Sequence, residues 1–463
     1  MTTPFKPLLL AAALLPVLAG CSLTPDYQRP EVATPAAWDG EVQAGTVVTA
    51  AWWQRFGSEE LNSLMNEALA ANHDLAAAVS RIEQARASAR IARAGQLPSA
   101  NLSGSVSHSR RDNGGGSSSG ESDEFSLGVG YEIDLWGGRA ADAAAARARL
   151  DASVFDRDAV ALVLQSDVAQ NYFQALALKD RLVIAERNLD AARQVLELVQ
   201  VRYDEGAATG LQLAQQRTAV LNIEAQLPQL RQQLRLTQNA LAVLLGRPPQ
   251  GFEIQGTSLA SITLPTVDPG QPAELLERRP DIRRVEAQLI AANADIGAAR
   301  AALYPSVRLS ASAGLTGLLT SGSGSVASIA ASLAQTIFDG GRLRSQVELS
   351  EARRTELTQQ YAKVVLTSLR EAQDGLVSVA ASQARAAALV QAVEQARDAF
   401  QIASTRYEAG AEDLLNLLDA QRTLLQAEDG LIQAELSRYA STTDLFKALG
   451  GGWAEPGAEG AAE

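Results

Sequence analysis

Few residues of this chain have the type and spacing that enzyme chemistry requires. Its two histidines, His73 and His108, are far apart in sequence, and its single cysteine, Cys21, can form no disulfide within the chain. Residues 116–120 match the G-x-S-x-G pattern of hydrolases, but they lie in the low-complexity segment 113–120 and not in a strand-turn-helix context. The sequence contains no H-E-x-x-H motif, cysteine cluster or phosphate-binding loop. We therefore expect no enzyme, no cofactor and no metal site.

Cys21 stands in a context that indicates lipid attachment. Lys6 precedes an apolar run over residues 8–19, which is followed by Gly20 and Cys21. This is the layout of a secretory signal peptide, and the run is too short to span a bilayer as a helix. The segment LAGC at 18–21 resembles the lipobox of bacterial lipoproteins. That resemblance implies cleavage after residue 20, acylation of the Cys21 thiol and, because Ser22 follows, transfer to the outer membrane.

Composition excludes one large class of partner and favours one class of fold. The net charge is −13, and no basic cluster is present to neutralise phosphates, so we expect no nucleic-acid binding. Aromatic residues make up only 5% of the chain, and long stretches rich in Ala and Gln lack Gly and Pro, which is typical of closely packed helices. No long apolar run follows the signal peptide, so we expect any membrane-spanning part to be β-structure.

The sequence repeats itself at an offset of about 204 residues. The matching landmarks are LPS at 97–99 with YPS at 304–306, LWGGR at 135–139 with FDGGR at 338–342, RYDEG at 202–206 with RYEAG at 406–410, and QRT at 216–218 with QRT at 421–423. Landmarks in the same order at a nearly constant offset indicate duplication of a unit of about 200 residues.

Each unit is predicted to contain a helix, two strands and two further helices, from hydrophobic periodicity and turn signals. The first unit has predicted helices at 59–95, 140–203 and 211–245 (kinked at Pro228), strands at 102–107 and 125–135, and a flexible loop at 113–120. The second has predicted helices at 272–301, 341–406 and 411–449, strands at 305–316 and 326–338, and a loop at 317–325.

The predicted domain organisation follows from these elements. It comprises a lipoprotein signal peptide at 1–20, an N-terminal extended anchor segment at 21–58, a first repeat at 59–250, a linker at 251–271, a second repeat at 272–450 and a disordered tail at 451–463.

Four strands of this length suit a bilayer, but four strands cannot close a barrel, and an open sheet edge is not tolerated in lipid. The chain must therefore oligomerise, and strand number alone permits two copies with eight strands or three copies with twelve. A helix over 140–203 would be on the order of 95 Å long, far beyond the ~30 Å hydrocarbon core. Such helices must stand in an aqueous compartment, which for an outer-membrane protein is the periplasm.

Four segments together resemble the TolC-type outer-membrane factors, in particular the NodT-like lipoproteins of tripartite efflux systems. They are WW at 52–53 with NHDL at 72–75, LLERRPDIR at 275–283, the two Arg-Tyr-x-x-Gly turns, and LLNLLDAQR at 414–422. The resemblance implies an α+β membrane protein that forms a homotrimer, with a twelve-stranded β-barrel continuous with a long α-helical periplasmic barrel. It implies a passive exit duct in the outer membrane of a Gram-negative bacterium.

The same resemblance implies partners and site residues. A periplasmic adaptor would bridge the duct to an inner-membrane pump of the RND, ABC or MFS type. The implied adaptor-contact tips are Arg202, Tyr203, Gly206, Arg406, Tyr407 and Gly410. The implied periplasmic gate is Leu415, Asp419 and Arg422, where an Asp ring near a three-fold axis repels itself unless a cation neutralises it. The first repeat has Ala214 at the position matching Asp419, so the acidic latch is expected in the second repeat only.

Two other functions remain open from the sequence. One is an outer-membrane duct for type I protein secretion, which would use the same fold. The other is a non-conducting, lipid-anchored trimeric coiled-coil spacer, which the alternating strands disfavour. The transported substrate has no signature in the sequence.

Overall fold

The computed structural model describes residues 22–39, 45–112, 117–319 and 323–451. The predicted signal peptide, Cys21 and residues 452–463 of the predicted tail lie outside these ranges. The helices of more than ten residues in these ranges are α1 (Glu59–Ala71), α2 (His73–Ala94), α3 (Gly138–Asp204), α4 (Gly210–Leu244), α5 (Pro280–Ala301), α6 (Arg342–Glu408) and α7 (Leu414–Ala448). The strands of that length are β1 (Ser99–Asp112), β2 (Ser117–Ile133), β3 (Ser306–Thr316) and β4 (Gly324–Ala334).

Shorter elements connect these. They are 3-10 turns at Trp52–Phe56, Leu259–Ser261 and Pro272–Glu274, one helical turn at Leu275–Arg278, and a parallel pair of two-residue strands, Thr46–Val47 with Val267–Asp268.

The repeat detected in the sequence reappears as two sets of matched helices. Helices α3 and α6 each contain 67 residues, and α4 and α7 each contain 35. Both pairs begin and end at positions 204 residues apart. The turns after α3 and α6 contain Gly206 and Gly410 at φ of 75° and 76°, a left-handed conformation that only glycine adopts without a steric penalty. The predicted spans of these four helices agree with the structure to within three residues at each end.

Two predicted helices are wrong in detail, because each is interrupted. The helix predicted at 59–95 breaks at Asn72, whose side-chain Oδ1 accepts hydrogen bonds from the backbone N–H groups of Asp74 and Leu75 at 2.9 and 3.0 Å. Asn72 therefore starts α2 as an N-cap. The helix predicted at 272–301 breaks at Arg279, which has extended backbone angles because the Pro280 ring disfavours the helical conformation in the residue before it.

A four-stranded antiparallel sheet has the order β1-β2-β3-β4. Its alternation gives it two unlike faces. One face carries cross-strand apolar pairs such as Leu102 with Leu127 and Leu309 with Ala331. The other carries serine pairs joined by hydroxyl hydrogen bonds, at 2.9 Å between Ser103 and Ser126 and 2.8 Å between Ser312 and Ser328.

The apolar face of the sheet is open in the single chain. Leu102 is 79% exposed, Ile329 91% and Leu333 71%. Strands β1 and β4 are the edges of the described sheet. A soluble sheet buries such a face against a second layer, so this face is suited to lipid.

The first predicted hairpin is longer in the structure than in the sequence prediction. Strands β1 and β2 cover 99–112 and 117–133, whereas strands at 102–107 and 125–135 and a loop at 113–120 were expected. Paired antiparallel strands extend with backbone hydrogen bonds alone, so small polar residues do not end them. In the second hairpin β4 covers 324–334, so residues 335–338 of the predicted strand lie outside it.

The described residues form two compact units. The first draws on the ranges Met1–Glu31, Ser80–Val154 and Arg283–Lys363, and it contains the sheet. The second draws on Val32–Val79, Phe155–Ile282 and Val364–Glu463. Each unit thus contains chain from both sequence repeats.

The second unit has an aromatic core. Trp52 stacks on Phe446 with ring centroids 5.1 Å apart, and Phe173 lies 4.9 Å from Phe56 and 5.1 Å from Tyr439. All five side chains are buried. This cluster accounts for the WW motif at 52–53 as a packing feature.

Helix α6 contains an 18-residue stretch that is apolar enough and poor enough in charge to cross a bilayer, and 11% of that stretch is buried. The sequence had indicated no long apolar run after the signal peptide. One stretch of this kind is weak support for a spanning helix, because α6 is 67 residues long, more than twice the ~20 residues a bilayer requires.

Candidate functional site

The candidate site lies in the second unit, at the ends of the two long helices. The first turn joins α3 to α4 through residues 205–209, and the second joins α6 to α7 through residues 409–413. At the first turn the Thr209 hydroxyl accepts from the N–H of Gln212 at 3.3 Å, and the Gln212 side chain accepts from the N–H of Thr209 at 2.8 Å. This reciprocal capping box fixes the start of α4.

The second turn is fixed by carboxylates. Asp413 accepts from the N–H of Leu415 at 3.3 Å, and Glu412 accepts from the Asn416 amide at 2.7 Å. The hydrogen bond from Asn416 and that from the N–H of Asp413 hold the pKa of Glu412 below its usual range.

Arg202 joins the two turns. Its Nη2 donates to the carbonyls of Tyr407 at 2.8 Å and Glu408 at 2.9 Å, in the last turn of α6. The Tyr407 carbonyl also accepts from the N–H of Gly410 at 3.0 Å. Its guanidinium carbon lies 4.6 Å from the centroid of the Tyr407 ring, within the range of a cation–π contact. Tyr407 is only 3% exposed, in a cluster with Val199, Leu414 and neighbouring apolar residues.

The residues at the matching positions of the repeat, Arg406 for Arg202 and Tyr203 for Tyr407, are placed differently. Tyr203 is 43% exposed, and the side chain of Arg406 is 59% exposed, with Nε 3.5 Å from Glu412. The six predicted tip residues therefore lie at the ends of the two long helices. The Arg202 guanidinium contacts the Tyr407 ring, and the N–H groups of Gly206 and Gly410 donate to the carbonyls of Tyr203 and Tyr407.

The three predicted gate residues lie on one exposed stretch of α7. Leu415 is 56% exposed. Arg422 and Asp419 form an ion pair with Nη2 and Oδ1 2.5 Å apart, and their side chains are 69% and 64% exposed. In the first repeat Arg217 donates instead to the Gln200 amide at 2.9 Å, so the acid–base pair occurs only in the second repeat.

The gate residues line a cavity of about 1010 Å³ between α4 and α7. Uncharged amides dominate the α4 wall, whereas the α7 wall carries both charge signs. The α4 wall includes Gln215, Asn222, Gln226, Gln229 and Gln233, and the α7 wall includes Asp419, Arg422, Gln426 and Asp429.

Sequence reasoning missed a buried carboxylate in α7. Glu428 is 3% exposed and accepts hydrogen bonds from Arg187, from Asn188 at 3.2 Å and from Arg397 at 3.1 Å. Burial alone would raise the pKa of Glu428, but these donors outweigh it and lower that pKa. The signal was present, because Glu428 continues the buried heptad positions of Leu417, Gln421 and Leu424.

A second missed site explains the LLERRPDIR segment. The Arg279 side chain is 9% exposed and is held by Asp281 at 2.7 Å, Glu371 at 2.8 Å and the carbonyl of Ala448 at 3.0 Å. Arg279 thus joins the start of α5 to the end of α7 and to α6. The motif that indicated the family is a structural clamp.

In the first unit the N-terminal segment lies along α5. Arg29 binds Glu286 through two hydrogen bonds, at 2.6 and 3.0 Å, and Asn293 donates to the carbonyl of Pro25 at 2.6 Å. Burial and the Glu286 charge raise the pKa of the neighbouring Tyr27 hydroxyl. A Cβ at Gly297 would lie 2.0 Å from Oγ1 of Thr24, so only glycine lets the segment approach this closely.

Comparison with known proteins decides the family. The family model described as outer membrane efflux protein matches the chain twice, at residues 64–247 and 272–451. The chain belongs to the outer membrane efflux protein family.

Similar proteins include the pyoverdine export outer membrane protein OpmQ of Pseudomonas aeruginosa, 41% identical over 96% of each chain, and the toluene efflux pump outer membrane protein TtgI of Pseudomonas putida, 34% identical over 97% of this chain and 98% of that protein. Among solved structures, the outer-membrane channel OprN has a TM-score of 0.88 and 29% identity, covering 93% of this chain and 99% of its own. The MtrE outer membrane channel of Neisseria gonorrhoeae has a TM-score of 0.84 and 28% identity, covering 93% and 98%.

Membership confirms the main predictions. The chain is an outer-membrane efflux channel protein, and its fold class is the predicted α+β membrane protein of trimeric channel type with four strands per chain. The resemblance to the TolC-type factors is confirmed with it. The family is one of transport ducts and not of enzymes.

Proposed function

We propose that this chain is the passive exit duct of a tripartite pump, in which a periplasmic adaptor connects it to an inner-membrane pump of the RND, ABC or MFS type. The observation that carries the proposal is the two-faced sheet. Its apolar face is open, with Ile329 91% exposed, and its opposite face is lined by serine hydroxyls. Such a sheet has one face for lipid and one for water.

We propose a small, polar cargo. Two supports favour it: the relative OpmQ is named for pyoverdine export, and the cavity between α4 and α7 carries amides and charged groups beside its alanine, isoleucine and leucine lining. Amide side chains offer donors and acceptors without fixing one charge sign. Relatives named for toluene and solvent efflux make apolar cargo the competing hypothesis.

One strain comparison tests duct and cargo together. If the cargo is polar, cells in which the gene is deleted should retain a siderophore of the pyoverdine class but still export a hydrophobic dye. If the pump also accepts apolar cargo, the same cells should retain both compounds. The purified protein should conduct ions in planar bilayers. A folded trimer that conducts nothing, even after Asp419→Ala, would refute the duct and favour the non-conducting spacer.

We propose Leu415, Asp419 and Arg422 as the periplasmic gate and the two turns as the adaptor-contact tips. The exposed tip positions Tyr203, Gly206, Arg406 and Gly410 offer surface to an adaptor. The Arg202–Tyr407 contact, in which the tyrosine is buried, holds the turns in place beneath that surface. Substitution of Gly206 and Gly410 by Val should abolish adaptor pull-down by the folded trimer, since a side chain there is strained at positive φ.

We propose that an acylated Cys21 anchors the chain to lipid. The support is the fixed path of the next residues, because Ser22 lies beside Gly137, which a Cβ would bring within 3.4 Å of the Ser22 Cα, and Gly137 closely follows the end of β2 at Ile133. The first described residue is thus held near the end of a strand of the sheet. Cys21→Ser should abolish labelling by palmitate, and continued labelling would refute the anchor.

A further inference from the structure

The two turns use the same residues in opposite ways. Arg202 is engaged and Tyr203 is exposed, whereas Tyr407 is buried and Arg406 is exposed. One Arg–Tyr contact is therefore complete within the chain. One Arg and one Tyr, at the matching positions of the repeat, are left without that contact.

The helix register shows how the second contact would form. Helices α3 and α6 are both 67 residues long and begin and end 204 residues apart, so Arg406 and Tyr203 occupy the positions of Arg202 and Tyr407 in the other repeat. Within the chain, the end of α3 lies beside the end of α6, and Arg202 contacts Tyr407. In a closed trimeric ring with two similar units per chain, the end of α6 must in turn lie beside the end of α3 of the next subunit.

We propose that in the resting trimer Arg406 of each subunit lies over the ring of the neighbouring subunit's Tyr203 and donates to the carbonyls at the end of that α3. The inference rests on the trimeric duct. The chemistry is that of the contact already present, because a guanidinium offers several donors to helix-end carbonyls and a cation to the aromatic face. Arg406 is held near the turn by Glu412, whose carboxylate lies 3.5 Å from its Nε.

The contact between Arg406 and the neighbouring subunit's Tyr203 is expected to be weaker than the contact between Arg202 and Tyr407 within the chain. Tyr407 packs in a cluster with Val195, Val199 and Leu414. The residues 204 positions away are Ala399, Ala403 and Gly210.

The smaller side chains bury less apolar area. At Gly210 a packing contact is absent, because a Cβ there would lie at van der Waals distance, 3.8 Å, from the Tyr203 ring. When the tip opens, the contact between Arg406 and Tyr203 should therefore separate first.

Paired cysteines in the full-length protein test the contact. In the background Cys21→Ser, a bifunctional maleimide long enough to replace the Arg and Tyr side chains should link Tyr203→Cys to Arg406→Cys between subunits, giving covalent dimers and trimers on denaturing gels. A cross-linker is used because residues that touch through the ends of long side chains are too far apart for a direct disulfide. The same reagent should link the matched pair Arg202→Cys and Tyr407→Cys within the chain, giving no dimer or trimer. Each single cysteine should give neither product.

The outcomes are distinct. A trimer by native mass spectrometry in which the matched pair is cross-linked and the Tyr203/Arg406 pair is not, or is linked only within one chain, overturns the inference and leaves the duct intact. Absence of any trimer overturns the inference together with the assembly on which it rests.

Conductance recordings of Arg406 variants add a second measurement, because loss of a purely structural contact would not change how often the channel opens. Arg406→Ala should raise the open probability of the resting trimer by roughly two- to fivefold for each of the three contacts that it removes, the factor that corresponds to losing one partly exposed cation–π contact. Arg406→Lys should retain most of the closed state, because an ammonium still donates to carbonyls and faces the ring. Equal opening by both variants, or no change with Ala, would count against the contact.

Discussion

The first and second turns show how far duplicated sequence departs from duplicated environment. Both follow an Arg-Tyr pair, both contain a glycine at positive φ, and both come directly after helices of equal length. Yet Tyr407 is 3% exposed and Tyr203 is 43% exposed.

The difference follows from what lies beside each turn. Arg202 and apolar residues of α3 and α4 pack against the second turn, whereas no arginine packs in this way against Tyr203 among the described residues. The two copies of the repeat therefore have two kinds of interface, one formed within the chain and one that we infer to form with another subunit.

The largest expected effect breaks the comparison at the tyrosines. Tyr407→Ala should lower the free energy of unfolding by about 3 kcal/mol, as truncation of a buried aromatic residue does. Tyr203→Ala should cost less than about 1.5 kcal/mol, since it loses surface packing and at most one cation–π contact. Thermal unfolding of the two purified variants in detergent measures both. Equal losses would mean that the two turns are equivalent.

The next effect compares two carboxylates on α4 and α7. Glu428→Gln should cost about 1.5 kcal/mol, because a buried charge-assisted network is lost, while Arg187 and Arg397 stay solvated with side chains 58% and 60% exposed. The matched control is Glu224→Gln. Glu224 lies 3.6 Å from Arg193, both are 52% exposed, and its loss should change the unfolding free energy by less than about 0.5 kcal/mol. A Glu224 effect as large as that of Glu428 would contradict the assignment.

Acid should weaken the same contact in a defined window. The pKa of Glu428 is lowered from an ordinary value of 4.5, so its stabilisation is complete above about pH 4.5 and is lost as the pH falls through the lower folded-state value. The difference in melting temperature between wild type and Glu428→Gln should stay constant from pH 8 to 5 and shrink below 4.5. Shrinkage above pH 5 would point to another group.

The smallest effect concerns the Asp419–Arg422 ion pair, the proposed latch. Asp419→Ala or Arg422→Ala should raise the open probability of the channel about twofold for each ion pair lost, because an exposed ion pair contributes only about 0.3–0.5 kcal/mol. Arg217→Ala in the first repeat breaks a hydrogen bond to Gln200 and should leave the open probability unchanged. If Arg217→Ala opens the channel as far as Arg422→Ala, the gate is not confined to the second repeat.

Much of the fold could be predicted from the sequence. The matched helices followed from stretches without helix breakers, and the sheet followed from period-two alternation at Leu127, Val129 and Tyr131. The breaks at Asn72 and Arg279 were missed, because periodicity continues across a side-chain cap and across a single proline. The ends of the strands were missed because backbone pairing, and not side-chain type, decides where a hairpin stops.

The sequence located the candidate site but did not reveal its long-range contacts. The repeat indicated both turns, and the family resemblance implied the Asp419–Arg422 pair, whose members share one helix and are therefore close in sequence. The Arg202–Tyr407 contact and the hydrogen bonds from Arg187 and Asn188 to Glu428 join residues more than 200 positions apart. Such contacts depend on how helices pack, which one sequence does not encode as a local pattern.

The open face of the sheet has a consequence for how the protein reaches its destination. A newly exported chain that presented Ile329 and Leu333 to water, with strands β1 and β4 unpaired at its edges, would be prone to stick to other chains. Folding of this sheet must therefore coincide with assembly and insertion, and until then the chain needs a periplasmic escort that keeps its strands apart. A shortage of such a chaperone should deplete this protein sooner than an outer-membrane protein whose barrel closes within one chain.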